Sequence, residues 1–485
     1  MRVLMVSAEV ETFARTGGLG DAVYGLSRAL ARAGHEVLVV TPLYGTTRVP
    51  DHAQWWWDRV HARVGWGSGD VRQMGVLEAR EDHGRGHVRF LLLADDHLFG
   101  GRRGIYGDDF GTFQDNDLRY AALSRGALDA AGMAFGGPEN VDVVHAHDWH
   151  AALAPVYARG TMGEAWARVR QVFTIHNLAY QGILGPDAVD RLAIPRAFAN
   201  AACLEHFGDL NLVKGAIVLS DAVTAVSPTY AREIQRPAGG FGIDGVLRMH
   251  AHKLRGVVNG IDVERFDPRT DPALPVRYDA ATHGPARAEN KAALAQEMGL
   301  DQDDGPIFGV VSRLTAQKGI DVLLPSLPAL VEQGARFALV GTGEPWLEQR
   351  LREAAWRYPG RVAARVAFDH DLAQRVYGGA DFVVVPSRFE PCGLTQLYAM
   401  RYGAIPVVTG VGGLKDTVEP ANLARQTGTG FLAPRADPWE LLIALEDALT
   451  AYRAPRAMHA LRERAMEEVF SWDDSAHGYE ELYRP

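Results

Sequence analysis

The loop Ser387-Arg388-Phe389-Glu390-Pro391-Cys392-Gly393-Leu394-Thr395-Gln396 brings together the residue types best suited to chemistry in this chain. A buried-strand pattern, Ala380–Pro386, leads into it, and a helical one, Leu397–Arg401, follows. A carboxylate and a thiol therefore lie between a strand and a helix. The segment Gly393-Leu394-Thr395 opens the helix, where unpaired N–H groups and the helix dipole favour an anion. An acid beside a phosphate cradle implies chemistry at a sugar attached to a phosphate. Glu390 has three readings from its type and place: nucleophile, general acid or orienting acceptor. A double displacement needs a second carboxylate across the scissile bond, and no spacing in the chain supplies a convincing one.

A second constellation is Ser312-Arg313-Leu314-Thr315-Ala316-Gln317-Lys318-Gly319, again at the end of a strand pattern. Arg313 and Lys318, five apart across such a loop, can reach one anion. Only five lysines occur, Lys214, Lys253, Lys291, Lys318 and Lys415, so a lysine within a motif is informative. A cation ~4 Å from a phosphate charge at an effective dielectric of ~20 contributes roughly 4 kcal/mol. Two cations fall short of the ~8–23 kcal/mol that enzymes deliver, so orientation must add the rest. Near the N-terminus, Thr16-Gly17-Gly18-Leu19-Gly20-Asp21 forms a glycine turn between strand and helix, with Arg15 just before it. It matches neither a dinucleotide fingerprint nor a phosphate loop with a terminal lysine. His145-Ala146-His147-Asp148-Trp149-His150 departs from the H-x-H-x-D-H order of binuclear metal hydrolases and reads as the lining of a polar groove for sugar hydroxyls. Phe173–Gly182 is a strand followed by a polar turn, where His176, Asn177 and Tyr180 offer hydrogen bonds and a stacking face.

These residues require open sheets to position them. Val3–Ser7, a helix from Asp21 to Ala33 and His35–Thr41 form a βαβ unit, which implies a parallel sheet. Further strands are expected at Val88–Leu93, Val141–His145, Val169–Thr174 and Ala222–Ala225. A second alternating series begins near Leu254–Asn259. Its strands are Ile307–Ser312, Phe337–Val340, Val362–Phe368, Phe382–Pro386 and Ile405–Val408. Its helices are Gly319–Gln333, Trp346–Tyr358 and Asp371–Gly378, followed by Trp439–Tyr452 and Arg456–Glu468. Asp267–Pro285 reads as a surface excursion. Pro50–Arg72, with Trp55-Trp56-Trp57, reads as a hairpin insertion or an irregular loop. The resulting fold class is α/β: two Rossmann-like doubly wound domains facing a central cleft, with ligands beyond the carboxyl ends of the strands. The expected domains are 1–253, 254–455 and a helical tail 456–485.

The 485 residues exceed one ordinary core. A net charge of −10 argues against nucleic acid as a partner. Two cysteines, Cys203 and Cys392, allow no disulfide framework and favour a reducing cytoplasm. The first apolar run is too short for a signal peptide, and no run is long enough to cross a membrane.

Taken together, Arg15–Leu19, His145–Ala151, His176–Gly182, Thr224–Tyr230, Val258–Asp262, Ser312–Thr315 with Gln317–Gly319, and Ser387–Gln396 resemble the bacterial glycogen synthases and plant starch synthases. The motifs keep their order from residue 1 to about 480. Those are two-domain GT-B enzymes that transfer glucose from ADP-glucose to an α-1,4-glucan such as glycogen with retention, without metal or organic cofactor. The resemblance implies that Arg313 and Lys318 neutralise the ADP diphosphate and Glu390 binds glucose hydroxyls. Gly17, Gly18, Leu394 and Thr395 would contact phosphates or sugar through the backbone. His176 would hold the donor sugar near its 6-hydroxyl, its carbonyl facing the anomeric carbon. Arg15, Asp21, Asn259, Phe368, Cys392 and Gly393 complete the donor side; Asp148, Asn177 and Tyr180 form the acceptor side. The resemblance further implies a C-terminal helix that crosses back to the N-terminal domain, and front-face return, in which the leaving diphosphate takes the acceptor's proton. Two positions depart from the family. Arg15 replaces the usual lysine, a bulkier forked cation. Phe368 replaces a frequent tyrosine, which keeps stacking but loses a hydroxyl. Alternatives compatible with the same residues are another nucleotide donor or acceptor, or a glucan-binding homologue without turnover.

Overall fold

A computed structural model describes residues 1–64 and 70–484. The chain forms two compact units. One comprises Met1–Val226, Ala231–Gly260 and Trp472–Pro485; the other comprises Ser227–Tyr230 and Ile261–Ser471.

In the first unit the sheet runs, in spatial order, Leu254–Gly256, Ala222–Ala225, Arg170–Ile175, Val143–His147, Arg2–Val6, Glu36–Pro42, Gly86–Ala94, Val71–His83 and Gln54–Trp55. Pairing is parallel as far as Gly86–Ala94 and antiparallel from there to Val71–His83. Val3, Leu4, Met5 and Val6 are all fully buried, as expected of a parallel strand covered on both faces. Helix Gly18–Arg32 buries Leu19, Ala22, Val23, Leu26 and Leu30. The stretch 50–72 is built as strands, Gln54–Trp55 and Val60–Arg63, both antiparallel to Val71–His83. Its residues 65–69 lie outside the described residues.

The second unit holds a parallel sheet ordered Val362–Arg365, Arg336–Val340, Ile307–Val311, Phe382–Val385, Ile405–Thr409 and Phe431–Ala433. Its core joins Phe308, Phe337, Leu339, Phe382 and Val407 to Leu441, Leu445 and Leu461 from the late helices.

Three expectations are corrected and one is refined. Leu254–Gly256 does not open the second series; it is the edge strand of the first sheet, paired with Ala222–Ala225, and the units divide after Gly260. The region 267–285 runs over the surface as expected, with Arg269, Thr270, Pro272, Pro275, Arg277 and Asp279 exposed, but it is pinned in place. Phe266, Leu274 and Tyr278 are buried, while Asp267 and Asp271 satisfy nearby backbone N–H groups of Arg269 and Ala273, so polar and apolar residues are both accommodated. The helix expected at 319–333 breaks into Ile320–Leu323, a 3-10 turn Leu324–Ser326, and Leu327–Glu332, because Pro325 and Pro328 lack the N–H a continuous helix requires. The tail is not one body: Pro455–Glu467 stays with the second unit, and Trp472–Tyr483 packs in the first. There Trp472 lies against Gly25, and the Tyr483 hydroxyl lies 2.8 Å from His145 Nδ1. No helix among the described residues is long and apolar enough to cross a membrane.

Candidate active site

In the second unit the chain runs outward in both directions from two adjacent strands, Ile307–Val311 and Phe382–Val385. The crevice beyond the carboxyl ends at such a switch point is where open α/β sheets bind ligands. The loops leaving these strands are joined there. Arg388 N donates to Gln317 O at 2.9 Å, and Gln317 Nε2 donates to Phe389 O at 3.2 Å. Gly319, with φ +65°, permits the approach, since a Cβ there would lie 2.0 Å from Pro386 O. Lys318 Nζ consequently lies 2.6 Å from Glu390 Oε2, and Ser387 Oγ donates to the same oxygen at 2.9 Å. Glu390 and Ser387 are buried.

The backbone behind this trio is held in turn. Thr409 Oγ1 donates to Ser387 O at 2.6 Å, Gly413 N to Glu390 O at 3.0 Å, and Ser227 Oγ to Pro391 O at 2.8 Å. Gln396 turns its amide back onto Cys392 O and Gly393 O. Helix Thr395–Arg401 follows, with Leu394 at its N-cap and no side-chain cap. Cys392 is buried and in no disulfide. The Arg313 guanidinium, at the same strand end as Lys318, is exposed and has no hydrogen-bond or ion-pair partner among the described residues. Phe368, beyond Val362–Arg365, is exposed and meets His370 edge-on at 5.1 Å.

In the first unit the corresponding switch point lies between Arg2–Val6 and Val143–His147. The glycine turn is organised by a residue the sequence motifs did not single out. Buried Glu9 accepts from Thr16 N (2.6 Å), Thr16 Oγ1 (2.8 Å), Gly17 N (3.0 Å) and the Tyr106 hydroxyl (2.5 Å). Arg15 is engaged by Glu11 at 2.5 Å and by Asp21 at 3.1 Å, so two residues assigned to one ligand partner each other. At the end of Val143–His147, Asp148 takes a left-handed φ of +57°. Its Oδ1 accepts His176 N at 2.7 Å and Asn177 N at 3.3 Å. The strand end of Arg170–Ile175 is thereby tied to that of its neighbour. Burial pushes the Asp148 carboxyl up to about 7 and the His176 imidazole down to about 3.

His147 Nδ1 lies 3.1 Å from His176 Nε2. His145 corrects the groove reading. It is fully buried, with Nε2 2.6 Å from the Thr174 hydroxyl and Nδ1 facing Tyr483. His150 is also buried, stacked on Tyr106 at 4.7 Å. Asn177 is half-buried, Tyr180 exposed, and Asn259 buried beyond the edge strand Leu254–Gly256. Among the described residues no cluster of three or more His, Cys, Asp or Glu could hold a metal ion.

Of the residues read from sequence, the structure joins Lys318 with Glu390, Arg15 with Asp21, and Asp148 with the backbone of His176 and Asn177. Those it adds are Ser387, Gln396, Glu9 and Tyr106. The first two stand inside a recognised motif; the last two had no local signal.

Residues 2–249 match the family model described as starch synthase catalytic domain, and residues 305–451 that of glycosyl transferases group 1. Glycogen synthase from Anaeromyxobacter sp. (strain Fw109-5) is 44% identical, covering 100% of this chain and 99% of that protein. Glycogen synthase from Myxococcus xanthus (strain DK1622) is 42% identical, with the same coverage. The catalytic domain of starch synthase IV from Arabidopsis thaliana, bound to ADP and acarbose, superposes with a TM-score of 0.88 at 30% identity, over 99% of this chain and 98% of that one.

Proposed function

The chain belongs to the starch and glycogen synthase family of glycosyltransferases, and from that premise we propose the donor, the acceptor and the residue roles. Glucose passes from ADP-glucose to the non-reducing-end 4-hydroxyl of an α-1,4-glucan, with its α configuration retained. The observation that carries this reading is the Lys318–Glu390–Ser387 trio at the switch point of the second sheet. The ADP held by the Arabidopsis starch synthase IV structure supports the choice of nucleotide.

Lys318 and Arg313 serve the diphosphate, whose negative charge grows as the bond from C1 to the phosphate oxygen breaks. The new bond forms from C1 to the acceptor's O4, and the acceptor's proton passes to the departing phosphate oxygen. One oxygen of Glu390 already receives an ammonium and a hydroxyl. Of its three chemical readings this favours the orienting acceptor, which binds glucose hydroxyls, over a free nucleophile. Gly17, Gly18, Leu394 and Thr395 serve the donor through their backbone, and Phe368 through its exposed ring. Arg15 and Asp21 act on the donor side as a pair. Cys392, Gly393 and Asn259 shape that side, and the His176 carbonyl faces the reacting carbon. Asp148, Asn177 and Tyr180 belong to the acceptor.

The test is polymer labelling from ADP-glucose or UDP-glucose on a glycogen primer by the purified chain. Labelling from ADP-glucose in preference, lowered about 10²–10³-fold by Glu390→Gln as for loss of one preorganised polar contact, is the expected result. Absence of labelling from either donor overturns the proposal.

A further inference from the structure

Beyond the strand Arg170–Ile175, the segments around 178, 211 and 241 meet on one buried amide. Gln181 Nε2 donates to Leu178 O at 3.1 Å and to Phe241 O at 3.0 Å, and its Oε1 accepts from Asn211 Nδ2 at 2.5 Å. Ile183 pairs with Asn211 across a short antiparallel ladder. The next hairpin, Glu205–His206 with Asp209–Asn211, carries Phe207 at its tip. His206 and Phe207 rings lie 4.5 Å apart. A Cβ on Gly242 would stand 4.0 Å from His206 Nε2, so the hairpin and the 241–242 turn are neighbours.

The surface this makes is unusual in two independent ways. Phe207 is 91% exposed and Phe241 41%, beside exposed Tyr180 and Ile183. Both phenylalanines also hold left-handed backbones, φ +54° and +46°, a region that large side chains rarely adopt. A ring as exposed as that of Phe207, on a left-handed backbone, is unfavourable for folding alone; an observed outlier of this kind points to function. Gln181 bonds both Leu178 O and Phe241 O, so the 241 turn adjoins the turn that follows His176, and the occupant is set by that adjacency. A polymer acceptor extends past the reacting sugar, and flat aromatic faces stack on the C–H faces of pyranose rings while polar tips meet hydroxyls.

We propose that Phe207 and Phe241, positioned by Gln181, bind the glucan chain beyond the reacting unit and set a preference for long acceptors. This inference rests on the acceptor assignment above. Phe207→Gly removes the ring while relieving the left-handed strain, so the fold is not put at risk; Phe241→Leu removes the aromatic face alone. The expected result is a five- to tenfold rise in KM for glycogen in each variant. The KM for ADP-glucose, kcat, and the rate on maltotriose stay unchanged, and Tm is no lower for Phe207→Gly. A glycogen KM within twofold of wild type in both variants overturns the inference. So does an equal loss on maltotriose, or a change of oligomeric state in sedimentation with glycogen KM unchanged. If wild type transfers no glucose at all, the catalytic reading fails by itself. The surface is then judged by glycogen retardation of wild type against Phe207→Gly in native gels without donor, where equal retardation overturns it.

Discussion

Glu9 shows how one carboxylate can define a loop. Neither Gly17 nor Gly18 holds a left-handed backbone, and the four donors that converge on Glu9 choose the conformation of the turn at 16–18. Glu9→Gln turns an amide NH₂ toward donors and leaves at least one of them unmet. A loss of about 1–3 kcal/mol is expected, measured by urea unfolding, together with a higher KM for ADP-glucose. A variant matching wild type in both would remove Glu9 from any organising role. Gly17 and Gly18 were legible in sequence because glycine punctuates a strand-to-helix turn. Glu9 was not, because it ends an apolar run and its partner Tyr106 lies 97 residues away. The trio in the second unit was half legible for the same reason. Glu390 and Lys318 stood in recognisable motifs, but their 2.6 Å pairing spans 72 residues and depends on two loops meeting. Gly17 offers a cleaner test of ligand approach. Its backbone is extended, and a Cβ there meets nothing within 4 Å. Gly17→Ala should therefore leave Tm unchanged. A rise in KM for ADP-glucose would then report a ligand that comes close to this backbone.

At the scale of elements, strand ends carry the site, and their burial couples it to pH. His145, His147, His150 and His176 sit at the ends of two parallel strands, and burial holds all four imidazoles below their usual range. Their contribution to stability is complete above the unfolded value near 6.5. It is lost as pH falls toward the folded values, because the unfolded chain takes up protons that the folded chain refuses. Asp148 acts in the opposite sense. Its carboxyl is raised to about 7 by burial, so its contribution is complete below about 3.9 and lost as pH rises through 7. Between pH 4 and 6 the four imidazoles outweigh the one carboxyl, so unfolding takes up protons and stability falls as pH falls. Urea midpoints of the wild type should fall steeply from pH 6.5 to 5. Asp148→Asn should steepen that fall, since it removes the one opposing group. A flat profile would mean the imidazoles are open to protonation. The strand pattern alone could place these histidines at a strand end. It could not separate His145, a core residue under Tyr483, from His147, which faces His176.

For the molecule as a whole, the first unit is completed only by the last residues of the chain. Trp472, Ala476, Tyr479 and Tyr483 are buried with Val23, Leu26, Leu30, Val172 and Ala222. Arg32 with Asp473 and His35 with Glu480, each at 2.7 Å, lie along the same contact. The exposed Arg32–Asp473 pair contributes ~0–1 kcal/mol; aromatic burial is the larger effect, at about 1.5–3 kcal/mol for a fully buried ring. Gly25 makes the packing possible, because a Cβ there would lie 2.1 Å from Trp472 Nε1. No local sequence pattern announces this: the partners are hundreds of residues apart, and a glycine within a helix otherwise reads as a mild defect, about 1 kcal/mol worse than alanine. Helix propensity therefore favours Gly25→Ala, whereas the contact opposes it, and the two have opposite signs. Overpacking against a rigid indole costs about 1–3 kcal/mol, so the variant should be less stable despite its better helix former. Tyr483→Phe leaves His145 Nδ1 without its hydroxyl partner and should lose about 1–3 kcal/mol, whereas Arg32→Ala should lose less than about 1. Urea unfolding of the three variants gives the ranking. If Gly25→Ala proved more stable than wild type, intrinsic propensity would outweigh the contact, and the terminal helix would not be seated by that glycine.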